Sequence, residues 1–115
     1  MSKEQVLVCL DYYLSGSKPD ADLERASVLF LLKETESKIP GKSVELRIPP
    51  YGVISVIEGA VHRRGTPRAV VEMNPETFLK VTLGISTWDE LVRSGKIFAS
   101  GERSNLSRYF PLEII

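Results

Sequence analysis

The stretch from Arg68 to Gly101 constrains this chain most, because four elements follow one another there with almost no slack. Ala69 to Met73 is nearly continuously apolar and reads as a strand. Asn74 then stands where a helix N-cap belongs, with Pro75 at the first helical position and Glu76 in the first turn. Phe78, Leu79, Val81 and Leu83 supply an apolar face, and Gly84 stops the helix. Thr87 and Glu90 have capping-box spacing, which starts a second helix with Trp88, Leu91 and Val92 on one side. Ser94-Gly95 ends it, and Lys96 to Ser100 returns as a strand. Two short helices cannot bury their faces on each other alone, so a sheet must receive them.

The N-terminal part supplies two more helices. Ser2 to Ser15 carries Val6, Leu7, Leu10, Tyr13 and Leu14 at one-face helical spacing, and Ser2 with Gln5 has capping-box spacing. After the Gly16-Ser17-Lys18-Pro19 break, Asp20 caps a helix running to about Lys38. Its middle, Val28 to Leu32, is apolar on more than one face, so it belongs between two layers or against a partner chain. Pro40-Gly41 closes it.

From Ser43 to Pro49 apolar and polar residues alternate, as in a strand with one wet face. Pro49-Pro50-Tyr51-Gly52 is a turn. Val53 to Glu58 is apolar on both faces; the pair reads as an antiparallel hairpin with Val53 to Glu58 the more central strand. Residues 59 to 68 form a loop, Ser104 caps a last short helix with Leu106, Tyr109 and Phe110, and Leu112, Ile114 and Ile115 make an apolar tail that packs on the body. The expected fold class is α/β (α+β), with a mostly antiparallel four- to five-stranded sheet covered by helices. We expect a single domain over residues 1–115, N-terminal helices in 1–40 and sheet with helices in 41–115.

Lys plus Arg and Asp plus Glu are 15 each, so the net charge is zero, which argues against a dedicated nucleic-acid binder. The single cysteine, Cys9, has no internal disulfide partner and lies in an apolar helical pattern, as a small core residue does. No apolar run approaches the roughly 20 residues of a membrane span, and the N-terminus lacks a secretory pattern, so a cytoplasmic location is expected.

Sites for chemistry are sparse. The sequence has no metal-ligand spacing, no phosphate loop between strand and helix, and one histidine, His62, set among arginines in a loop. We expect no enzyme activity, no cofactor and no metal. The cluster Arg63, Arg64 and Arg68 either holds a phosphate or carboxylate, or is solvated and paired with Glu58 and Glu72; the second reading is favoured by the zero net charge. Phe30, Trp88, Phe98, Tyr109, Phe110 and the many aliphatic residues either fill a core or line an apolar cavity, and periodicity serves both equally.

The segments Val70 to Gly84 and Gly95-Lys96-Ile97-Phe98-Ala99-Ser100-Gly101 resemble the sterol carrier protein type-2-like family. The likeness extends over residues 41 to 112 and is greatest to short stand-alone bacterial members, which carry a similar Pro-Pro-Tyr-Gly turn and Arg-Gly-Thr-Pro loop. The resemblance implies helices on one side of the sheet and an apolar cleft between them that holds fatty acids, acyl-CoA, sterols or phospholipids without catalysis. Larger relatives have five strands where four are counted here, implying a smaller cavity or an irregular fifth strand. On this footing the cavity residues are Phe30, Leu31, Val56, Val71, Phe78, Leu83, Trp88, Leu91 and Phe98, with Arg63, Arg64 and Arg68 meeting an anionic head group. The competing reading is a protein-interaction domain with a closed core, a homodimer included, docking through Val28 to Leu32 or through the Pro49 to Gly52 turn.

Overall fold

The computed structural model describes residues 3–59 and 68–114. The elements are α1 (Lys3–Leu14), α2 (Ala21–Lys38), β1 (Val44–Ile48), β2 (Gly52–Val56), β3 (Ala69–Met73), α3 (Pro75–Thr82), α4 (Trp88–Arg93), β4 (Ile97–Ser100) and a single 3₁₀ turn, Ser107–Tyr109. The expected order of helices and strands is therefore present.

Local chemistry sets the helix ends. Asp20 accepts a hydrogen bond from Leu23 N at 2.9 Å, and Asn74 accepts one from Thr77 N at 2.8 Å with Pro75 behind it. At Thr87 the hydroxyl accepts from Glu90 N at 3.2 Å and donates to Glu90 Oε1 at 3.1 Å. Helix α4 ends in a Schellman motif: Gly95 N donates to Val92 O and Lys96 N to Leu91 O, with Gly95 at φ +76°. The capping role expected of Ser2 lies outside the described residues. At the C-terminal end the expected helix shrinks to the 3₁₀ turn, whose N-cap position is Leu106 with no side-chain cap, so the capping expected of Ser104 is not made; Asn105 Oδ1 instead accepts from Ser107 N at 3.0 Å just before it. Of the expected tail, Leu112 is buried and Ile114 packs on the core, with Leu112 N donating to Thr82 O at 3.0 Å, while Ile115 lies outside the described residues.

The four strands form one sheet in the order β2-β1-β3-β4. The β1–β2 and β3–β4 pairings are antiparallel and β1–β3 is parallel, so the sheet is mixed. This corrects the expected placement of the hairpin, because β1 is central and β2 lies at an edge. Strand β1 looked half-wet because Glu45 and Arg47 form an ion pair at 2.6 Å on the uncovered face. The edge strand β2 looked central because its uncovered-face Val53 is simply exposed, at 57%.

Register places Val44, Leu46, Ile48, Ile54, Val56, Ala69, Val71, Met73 and Ile97 on one face, and the helices cover that face. Helix α2 packs on β2, α4 packs on β4, α3 lies against α2 and α4, and α1 crosses over α2 and α3. Helix α2 therefore sits between two layers, with Val28, Leu31 and Leu32 buried, as its two-sided apolar middle implied. Behind β2 the chain turns at Ile57, which adopts φ +54°; Ile57 N donates to Ile39 O, and its own carbonyl accepts from Ser43 N. Gly41 touches this turn so closely that an added Cβ would fall 1.9 Å from the Ile57 carbonyl.

Candidate functional site

The nominated residues divide by location. Leu31 of α2, Val56 of β2, Val71 of β3 and Phe78 of α3 are fully buried members of one core between helices and sheet. Trp88 and Leu91 of α4 join it at 5% and 8% exposure, and Phe30 and Leu83 pack on it half-buried. Phe98 does not join them. It pairs with Glu72 while Val71 pairs with Ala99, so strand parity sends it to the opposite, uncovered face, where it is 62% exposed. Arg63, Arg64 and His62 lie outside the described residues. Arg68 reaches back over β1: its Nη2 donates to Lys42 O at 2.9 Å, and its Nη1 stands 3.9 Å from Glu45 Oε2. Its acidic neighbour is thus Glu45, where Glu58 and Glu72 were expected.

Among the described residues, space bordering the nominated Trp88 lies at the seam of α4, β4 and the C-terminal segment. Two open hollows flank Trp88. One, of about 330 Å³, is walled by Trp88, Val92 and Ala99 and rimmed by Asp89, Arg93, Ser104 and Asn105. The other, of about 180 Å³, lies between Ser86, Thr87, Trp88 and Asp89 on one side and Ser107, Phe110 and Pro111 on the other. The Trp88 and Phe110 rings are near-parallel, 12° apart with centroids 6.0 Å apart, so Phe110 braces the indole between the hollows. Apolar walls below a rim carrying the Arg93 guanidinium, the Asp89 carboxylate and several hydroxyl and amide groups suit a molecule with an apolar body and a polar end.

Sequence reading found Trp88 but missed Ala99, Asn105 and the hollow-facing role of Val92. Their signal was positional: Ala99 is the small residue among larger ones in β4, on the helix-covered face and next to the sheet's edge. Among the described residues no three His, Cys, Asp or Glu side chains gather as a metal ion would need. Cys9 is fully buried, and burial pushes its thiol pKa up, away from the reactive thiolate.

With this geometry in view, a comparison with protein-family models finds a match to the family described as bacterial SCP ortholog, over residues 20–112. The chain belongs to that sterol carrier protein-like family. The match takes in α2, the whole sheet, α3, α4 and the C-terminal turn, and leaves α1 outside. No curated protein matches the chain. At the coarse level, membership suggests a lipid-binding carrier and a generally non-catalytic role. No helix among the described residues is long and apolar enough to cross a membrane.

Proposed function

We propose that this protein binds and carries an amphipathic lipid, such as a fatty acid, an acyl-CoA or a sterol-like molecule, in the α4–β4 seam. The observation carrying this reading is the 330 Å³ hollow walled by Trp88, Val92 and Ala99 with Arg93 on its rim. Apolar chain lies against indole and aliphatic wall, while an anionic head group meets the Arg93 guanidinium and the amide of Asn105. Leu31, Val56, Val71 and Phe78 belong to the packed core and not to the hollow's lining, with Val56 on the strand at the opposite edge of the sheet. Arg68 is a second meeting point for a long head group, while Arg63 and Arg64, nominated with it, lie outside the described residues. Such a carrier acts as a single domain in the cytoplasm, without metal or cofactor.

The test is organic extraction and mass spectrometry of freshly purified protein, beside displacement of a fluorescent fatty acid. The expected result is a co-purified lipid, or displacement at micromolar concentration, weakened at least about tenfold by Ala99→Trp, which fills the hollow from an exposed position. An empty protein that ignores acyl chains overturns the reading. In that event the uncovered sheet face, with Phe98 and Val53 at 62% and 57% exposure, favours the protein-interaction alternative. Most of the Val28–Leu32 strip cannot serve it, since Val28, Leu31 and Leu32 are buried and Leu29 is the exposed member.

A further inference from the structure

The helices cover one face of the sheet, and among the described residues no element packs on the other. Strand register lays that uncovered face out as two rows. One runs Val53, Arg47, Glu72, Phe98 from edge to edge, and the next runs Ser55, Glu45, Val70, Ser100. The first row carries an apolar side chain at each end, Val53 and Phe98, both exposed, and one charge of each sign between them. Those charges are incompletely answered within the chain. Arg47 donates to Glu45 through Nε alone, so among the described residues both its Nη groups lack a partner. Glu45 is shared with Arg68. Glu72 is exposed, and no Lys or Arg among the described residues pairs with it.

Such a row is complementary to itself turned round. A two-fold axis parallel to the strands, midway between β1 and β3, lays β1 over β3 of a second copy and β2 over its β4. Arg47 then faces Glu72 of the second copy and Val53 faces its Phe98, each contact made twice, because a two-fold interface is isologous. In the second row Ser55 meets Ser100 and Glu45 meets Val70, which leaves Glu45 to the arginines of its own chain. The strands of the two sheets run within about 30° of one another and the sheets about 10 Å apart, as stacked twisted sheets do. A two-fold axis across the strands does worse. It lays Arg47 over Glu45, Phe98 over Ser100 and the unpaired Glu72 over Val70.

We propose that this face is the contact between two copies of the chain, stacked sheet on sheet about the axis parallel to the strands. Four strands about 4.8 Å apart, with five residues of about 3.3 Å each, make a face of roughly 19 Å by 16 Å. A patch this small buries less than the roughly 1,200 Å² of a stable complex, so the dimer is weak and depends on concentration. None of the residues walling the Trp88 hollow lies on this face, so the dimer and the lipid reading stand or fall separately.

The experiment is sedimentation velocity of the full chain at concentrations between about 10 µM and about 1 mM. The expected result is a shift from monomer to dimer with a Kd inside that range. Arg47→Glu and Glu72→Arg each put like charges opposite one another at two contacts, and each alone weakens self-association at least about tenfold. An equimolar mixture of the two variants restores it to within about threefold of wild type, because both charged contacts of the mixed dimer then join Glu to Arg. Recovery on mixing is something a misfolded variant does not show, and the axis across the strands does not predict it. Phe98→Ser, at an exposed position, weakens association about fivefold at an unchanged melting temperature. A chain that stays monomeric to about 1 mM would overturn the proposal and leave the face to a different kind of partner. A dimer that both charge variants leave intact, or a mixture that regains nothing, would overturn it as well.

Discussion

At the scale of single residues, the two glycines Gly41 and Gly95 both sit at positive φ, yet they do different work. Gly95, at φ +76°, has nothing within 4 Å of where a Cβ would stand. Gly95→Ala therefore costs only the left-handed backbone term, about 1–2 kcal/mol. Gly41 adds a clash, since its Cβ would enter the Ile57 peptide, itself held at φ +54°. Gly41→Ala is expected to cost more than about 3 kcal/mol, because the obstacle is backbone and cannot rotate away. Urea titration of both variants checks the order, and equal losses would show that the 41–57 contact is unimportant. Glu24, buried in the first turn of α2, makes a second residue-scale prediction, because Tyr13 Oη donates to its Oε2 and Tyr51 Oη to its Oε1 at 2.7 Å. The hydrogen bond to Glu24 is the main cause that pushes the Tyr51 phenol from 10.0 up to about 12, and Tyr13 and Cys9 move the same way. A folded pKa above the unfolded one gives stability that is complete below the unfolded value and lost as pH rises through the folded one. Stability should thus be lost progressively between about pH 10 and pH 12. Tyr51→Phe should make that loss shallower, and an unaltered slope by urea midpoint against pH would refute the assignment.

At the scale of elements, what was legible and what was not divides by the reach of the interaction. Caps are written within four residues, so Asp20, Asn74 and Thr87 could be placed from sequence, and each accepts the hydrogen bond expected of it. Thr87→Ala should accordingly cost about 1 kcal/mol. Trp88→Ala, one position on, should cost about 3–5 kcal/mol, since it removes an indole at 5% exposure and the Phe110 brace with it. Thermal melts of the pair would test whether α4 is held by its core contact more than by its cap. Strand order was not legible, because β1 becomes central only through its parallel partner β3, reached after a long connection. The face taken by Phe98 was hidden for a similar reason: β4 is apolar on both sides, and its register to β3 decides which side meets the helices. The Glu24 cluster was half legible. Glu24, Ser27, Val28, Leu31 and Thr35 form one buried helical stripe, so the carboxylate occupies a core position in the pattern, but the phenols that answer it come from α1 and from the β1–β2 turn.

At the scale of the whole molecule, α1 is the informative piece, because it lies outside the family match yet is built into the body. Val6, Cys9, Leu10 and Tyr13 are buried, while Leu7, Val8, Tyr12 and Leu14 on the same helix stay at 42% to 52% exposure. Burial of apolar side chains of this size contributes roughly 1.5–3 kcal/mol each. The inward face of α1 therefore contributes an amount on the scale of the 5–15 kcal/mol that holds an ordinary domain together. It also delivers the Tyr13 phenol, so without α1 Glu24 keeps one donor and loses its cover. A chain beginning at Pro19 is accordingly expected to lose cooperative unfolding, though it retains every residue of the family match. Circular dichroism and urea titration would decide this. A truncated chain that melts sharply within a few degrees of the full one would mean that the matched region folds on its own. Helix α1 would then be an addition to a fold already complete without it, and the Tyr13 hydrogen bond to Glu24 a contact that this fold does not need.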